Sequence, residues 1–152
     1  MFLAAGPGWA GPPNEAAGLS LSSEEQAILD LTNQARAKEN LSPLKPNAVL
    51  FKVARAHAAN MAAKGEMKHE LDGKNPAQRV EAAGYDYGEV GENIAFSDGL
   101  EIAKVFAGWM DSPHHRENIL KEPFQDIGIG VARNPKGEVY YTQVFGKQRK
   151  KS

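Results

Sequence analysis

The 152-residue sequence contains no cysteine. That excludes disulfide staples, thiolate nucleophiles and cysteine-ligated zinc together, although it fixes no compartment. No apolar run approaches the roughly 18 residues of a membrane span. Neither sign of charge is in excess, with 18 Lys and Arg against 19 Asp and Glu. Electrostatics therefore give no reason to expect nucleic acid or an anionic membrane as partner. Compact catalytic signatures are missing as well. There is no His-Glu-x-x-His pair, no Gly-x-Ser-x-Gly elbow and no phosphate loop.

What remains is ordinary for a globular domain: 41% hydrophobic and 24% charged residues. The length suits one domain, which can bury roughly two-thirds of its unfolded surface without covalent cross-links. Residues 1–22 are rich in Gly, Pro and Ala and lack periodicity. They are expected to form a flexible leader, because their apolar stretch is too short for a signal-peptide core and no basic residue precedes it. Domain order is expected over 23–147, followed by a basic, disordered tail at 148–152.

Ser22-Ser23-Glu24-Glu25 places a helix start there, with acids in the first turn. Ile28, Leu31 and Ala35 give that helix an apolar stripe up to about Asn40. A second helix is predicted over Asn47 to Ala63, with Leu50, Val53, Ala54, His57, Ala58 and Met61 on one side and Gly65 as its stop. Asn75 and Pro76 open a short helix to Ala83. Residues 85–99 read as a long connection, part of which can be a strand. Further helices are predicted over Leu100 to Met110 and from Ser112-Pro113 to Leu120. Alternating Ile127, Ile129, Val131 and Val139, Tyr141, Gln143, Phe145 predict a hairpin turned by Asn134-Pro135-Lys136-Gly137. Helices first and a hairpin last define an α+β chain.

Four histidines are candidates for chemistry. His57 reads as a packed helix residue with one hydrogen bond, and His69 lies in a polar loop. His114 and His115 point about 100° apart on a helix, so only one can face a given cleft. With Ser112 as N-cap, His115 is the third helical residue, where the positive helix end favours neutral imidazole. Glu92, between Gly91 and Asn93 in a small, apolar setting, is either exposed or deliberately paired. Spacing alone does not unite these positions.

Taken in order, several strings resemble one family. Leu31-Thr32-Asn33-Gln34-Ala35-Arg36, Ala54 to Met61, Met67-Lys68-His69 and Ala83-Gly84-Tyr85 are followed by Gly91-Glu92-Asn93-Ile94-Ala95. Trp109-Met110-Asp111-Ser112-Pro113-His114-His115-Arg116-Glu117-Asn118-Ile119-Leu120, Phe124 to Val131 and Tyr141 to Gly146 complete the set. Together they resemble the CAP superfamily (cysteine-rich secretory proteins, antigen 5, pathogenesis-related 1; the SCP domain) in its short bacterial form, over about residues 24–146.

The resemblance implies a three-layer α-β-α sandwich with a small antiparallel sheet of about three strands. It also implies a central cleft lined by two histidines and two acids. His69, Glu92 and His115 match three of these by position. The fourth place is held by Asp111 and Ser112, the latter better explained as a helix cap. His114 stands where related chains have glycine. Some relatives bind zinc or another divalent ion through the two histidines, so His69 and His115 are the expected metal ligands, in a weak site. The resemblance also implies an extracytoplasmic or secreted, monomeric protein whose cleft takes a small ligand, lipid or cell-envelope component. The alternatives are a metal-assisted hydrolase with Glu92 as general base, and a structural or adhesive module of the cell envelope. Binding is favoured over catalysis.

Overall fold

The computed structural model describes residues 18–150. Ser22 caps helix α1 (Ser23–Lys38) through a reciprocal capping box with Glu25. A two-residue strand β1 (Lys45–Pro46) leads into α2 (Ala48–Lys64), which is capped by Asn47 and stopped by Gly65 in the left-handed conformation at φ 64°. Helix α3 (Pro76–Ala82) starts on Asn75 with proline in its first turn. Strand β2 (Tyr87–Asp98) is followed by α4 (Ile102–Asp111), α5 (Pro113–Ile119), β3 (Asp126–Arg133) and β4 (Glu138–Gln148).

The sheet order is β1-β3-β4-β2. The antiparallel core β3-β4-β2 is the expected three-stranded sheet, and β1 adds a short parallel pairing to β3 at Lys45–Asp126 and Pro46–Ile127. Helices cover both faces, which gives the three-layer α-β-α sandwich. Ile127, Ile129, Val139, Tyr141 and Phe145 meet Ile28, Phe106, Trp109 and Ile119 on one face. On the other, Val144 packs with Leu50, Val53 and Ala54 of α2, and Tyr140 and Ile94 with Met61.

The glycines of β3 explain how closely α2 lies. A Cβ on Gly128 would fall 2.1 Å from the Leu50 carbonyl group, and one on Gly130 would fall 2.3 Å from Ala54 O. Isoleucine and glycine thus alternate along β3 because one face packs side chains and the other admits a helix backbone.

Four expectations change. The connection at 85–99 is mostly one twelve-residue strand, β2, with a register irregularity between Tyr87 and Glu89. The leader was expected to run to residue 22, yet Leu19 and Leu21 pack on the core and Ser20 O accepts a 2.7 Å hydrogen bond from Arg55; residues 1–17 lie outside those described. The tail expected to be disordered from 148 is paired further. Gln148 aligns with Tyr87 in the sheet, and Arg149 bonds Asp86 through both its backbone N–H at 2.8 Å and its Nε at 2.9 Å. The α1 stripe also rotates. Its buried positions are Glu25, Ile28, Leu29, Thr32 and Arg36, because Thr32 and Arg36 have polar partners beneath the helix.

Candidate functional site

Glu92 is the centre of the site. It sits on β2 opposite Val144 and is 5% exposed. A carboxylate that deeply placed needs partners. Arg79 Nη2 donates to Oε2 at 2.8 Å, and His69 Nδ1 lies 2.8 Å from Oε1. His57 Nε2 is 3.9 Å from the same Oε1. The neighbouring Gly91 has a reason of its own: an added Cβ would stand 2.9 Å from the Phe124 ring and 3.0 Å from Asn118 Oδ1. Strand and α5 loop approach each other there because no side chain intervenes.

The pairing fixes tautomers. A carboxylate oxygen accepts, so the His69 hydrogen on Nδ1 points to Glu92, and in the neutral ring the lone pair is then on Nε2. Among the described residues, Nε2 makes no hydrogen bond, and the His69 side chain is 47% exposed. Arg79 also donates to His69 O at 2.8 Å and Lys74 O at 2.9 Å, which holds the loop as well as the carboxylate. His57, expected to be a packed helix residue, is buried and donates from Nε2 to Lys68 O at 2.8 Å. Burial, the largest influence, lowers its pKa below the usual histidine value; Glu92 opposes this.

His115 arrives from α5 and is half-buried. Its Nδ1 is 2.8 Å from Ser112 Oγ. Ser112 does occupy the N-cap position of α5, but its hydroxyl makes no capping bond. The expected capping role is therefore corrected: the imidazole at the third helical position takes the hydroxyl that would otherwise meet a backbone N–H. Burial, with His114 and His69 nearby, lowers the His115 pKa, so the neutral ring is favoured. His114 is exposed, and its ring centroid lies 5.9 Å from that of His115, edge-on. Asp111, the last residue of α4, is exposed; no hydrogen bond or ion pair joins it to the histidines or to Glu92 among the described residues.

A buried amide network ties the two sides together. Asn93 Nδ2 donates to His115 O and to Gln143 Oε1, both at 3.1 Å. Gln143 Nε2 continues to Thr32 Oγ1 at 2.8 Å, whose hydroxyl donates to Ile28 O. Asn118 Nδ2 donates to Asn93 Oδ1 at 3.0 Å and Glu92 O at 3.3 Å. Arg36, 1% exposed, donates to Ser42 O, Ile119 O and Lys121 O and so anchors the segments flanking α5. In the sequence Thr32, Arg36, Asn93, Asn118 and Gln143 carry no site role beyond membership of the family-like strings, and Arg79 stands in none of them. One signal was present: Gln143 interrupts an inward-facing apolar row in its strand.

Among the described residues, no three His, Asp or Glu side chains converge as a metal site. What the donors offer is two imidazoles, each held at Nδ1 by an oxygen.

The fold, helices on both faces of a small antiparallel sheet, is that of a CAP-type α-β-α domain. The model for the cysteine-rich secretory protein family (CAP) matches residues 29–145, and the chain belongs to that family. It is 34% identical over 129 residues to the uncharacterised protein YkwD of Bacillus subtilis, covering 84% of this chain and 49% of YkwD. The chain thus spans about half the length of that relative. Among solved structures, an outer surface protein of Borrelia burgdorferi superposes with a TM-score of 0.79 at 24% identity, covering 86% of this chain and 97% of that one. An extracellular SCP-domain protein of Bacillus anthracis superposes with a TM-score of 0.73 at 26% identity, covering 86% of this chain and 45% of the other.

Proposed function

We propose that the chain is an extracytoplasmic binding domain whose cleft, around His69, Glu92 and His115, takes a ligand together with a weakly held divalent cation. The observation that carries this reading is the treatment of the two imidazoles. His69 is held at Nδ1 by Glu92 and His115 at Nδ1 by Ser112, while neither Nε2 has a partner among the described residues. An oxygen on the far nitrogen is the usual outer support of a metal-bound histidine. Two imidazoles suit zinc and similar ions, but two protein ligands make a weak site, with water or the ligand completing the shell. A bound cation would supply Lewis acidity there.

Glu92 is less suited to act as a general base. Both its oxygens are already engaged, by Arg79 and His69, and a base needs a lone pair directed at the attacking water. Its role in this reading is to orient His69. The similar Bacillus anthracis protein is extracellular and the Borrelia one is an outer surface protein, which supports an extracytoplasmic placement.

The test is calorimetric titration of zinc into wild type, His69→Ala, His115→Ala and Ser112→Ala. Each histidine variant is expected to lose binding altogether, and Ser112→Ala to lose roughly 10–100-fold, the cost of an outer-shell partner. Equal, negligible zinc affinity in all four proteins would remove the cation from the proposal.

A further inference from the structure

Strand β2 is the edge of the sheet. Its odd-numbered residues bond β4, since Gly99 N–H continues that ladder to Gly137 O at 3.0 Å. On the far side of β4, even-numbered positions bond β3, as Asn134 N–H to Glu138 O shows. The even residues of β2 must therefore turn their backbone N–H and C=O outward. At the first two even positions of the site the outward carbonyls are covered. Asn118 Nδ2 covers Glu92 O, and Trp109 Nε1 covers Ile94 O at 3.0 Å. At Phe96 and Asp98 this cover stops. The outward N–H and C=O of those two residues have no partner among the described residues.

This open stretch is the floor of a groove of about 580 Å³. Residues 94–98 line it from β2, Lys104, Val105, Gly108 and Trp109 from α4, and Met67 from the loop after α2. Its far end reaches Ser112 and His115. Two of the three exposed large hydrophobic residues of the described chain, Met67 (50%) and Phe96 (43%), line it. Gly108 is mid-helix, where glycine weakens a helix by about 1 kcal/mol relative to alanine. No packing demands it, because a Cβ there would meet nothing within 4 Å. Its effect is to leave the α4 side of the groove low.

We propose that this groove binds an extended peptide segment with apolar side chains, which adds to the sheet as a strand alongside β2 and pairs with the outward backbone groups of Phe96 and Asp98. A backbone ladder of alternating N–H and C=O is what an open strand edge recognises. The open stretch from Phe96 to Asp98 spans about 7 Å, enough to pair with roughly three residues of such a segment. A second copy of the chain does not fit as occupant. Its own β2 edge is walled by its own α4, so two such edges cannot close to the roughly 4.8 Å that strand pairing needs. The site adjoins the histidine cleft but does not depend on a cation.

The experiment uses the whole chain against a phage-displayed library of random heptapeptides, followed by synthetic versions of the enriched sequences. Binding is read by fluorescence anisotropy and by amide hydrogen exchange in NMR. Enriched peptides are expected to protect the Phe96 and Asp98 amides. They should also bind Gly108→Leu at least tenfold more weakly, with its fold confirmed by circular dichroism. N-methylation at alternate peptide residues should abolish binding in one phase and spare it in the other. His69→Ala should bind them as wild type does, which separates this site from the cation site. No enrichment above a control protein would overturn the proposal. So would binders indifferent to Gly108→Leu that leave Phe96 and Asp98 exchange unchanged.

Discussion

The two halves of β2 are built on opposite rules. From Gly91 to Ile94, each polar group noted in the site has a protein partner: Glu92 has Arg79 and His69, Asn93 has His115 O and Gln143, and the outward carbonyls have Asn118 and Trp109. From Phe96 to Asp98 the side chains at both even positions are exposed and the strand edge is open. One strand therefore serves as a rigid mount at one end and an unpaired template at the other. Precision in the first half holds two imidazoles in place; incompleteness in the second leaves room for something else to finish the sheet.

The sharpest way to break this contrast is Glu92→Ala. The substitution leaves Arg79, whose Nε is already buried without a partner, with no carboxylate for its Nη2. Removing one member of a buried ion pair costs about 3–5 kcal/mol. Phe96→Ala, four residues along the same face, loses a ring contact with Tyr140 at 5.2 Å and should cost only about 0.5–1.5 kcal/mol. Urea unfolding of the two variants measures both. Comparable losses would show that the halves are equally integrated.

Acid should discriminate between the halves as well. The buried histidine, His57, faces Glu92, Arg79, His69 and Lys68 O, all at the closed end. Its folded pKa is lowered, chiefly by burial, so below the unfolded value of about 6.5 the unfolded chain binds the extra proton. The contribution is fully present above that pH and is lost as pH falls toward the folded pKa. Stability from urea curves is expected to be level from pH 8 to about 7 and to decline toward pH 5.5, with a shallower decline in His57→Asn. A rise toward acid in wild type would contradict the assignment.

How legible this was in the sequence follows the same division. Helix caps, the α2 stripe through His57 and the final hairpin were readable because local chemistry and periodicity agree there. β2 read as a connection because its polar residues face partners on both sides of the sheet, which erases the alternation of a half-buried strand. Arg79 was invisible for a different reason: on a short helix it looks like any solvated charge, and only the fold brings it under Glu92. The positions of His69, Glu92 and His115 came from ordered family resemblance, since no spacing rule joins residues from a loop, a strand and a helix start. The hydroxyl of Ser112 was read as a cap from its position, and the competing imidazole three residues on lay outside that rule.

The smallest expected effect tests the open half most directly. Gly108→Ala adds a methyl group to α4 where nothing stands within 4 Å. The helix gains propensity and loses no packing, so the protein should become more stable by about 0.5–1 kcal/mol. Gly91→Ala at the closed end should go the other way, because its Cβ meets the Phe124 ring at 2.9 Å and that ring is stacked on Phe145 with centroids 5.5 Å apart. The same chemical change thus carries opposite signs at the two glycines. If thermal unfolding showed Gly108→Ala to be destabilising, the space beside α4 would already be filled by protein, and the groove would lose its low wall.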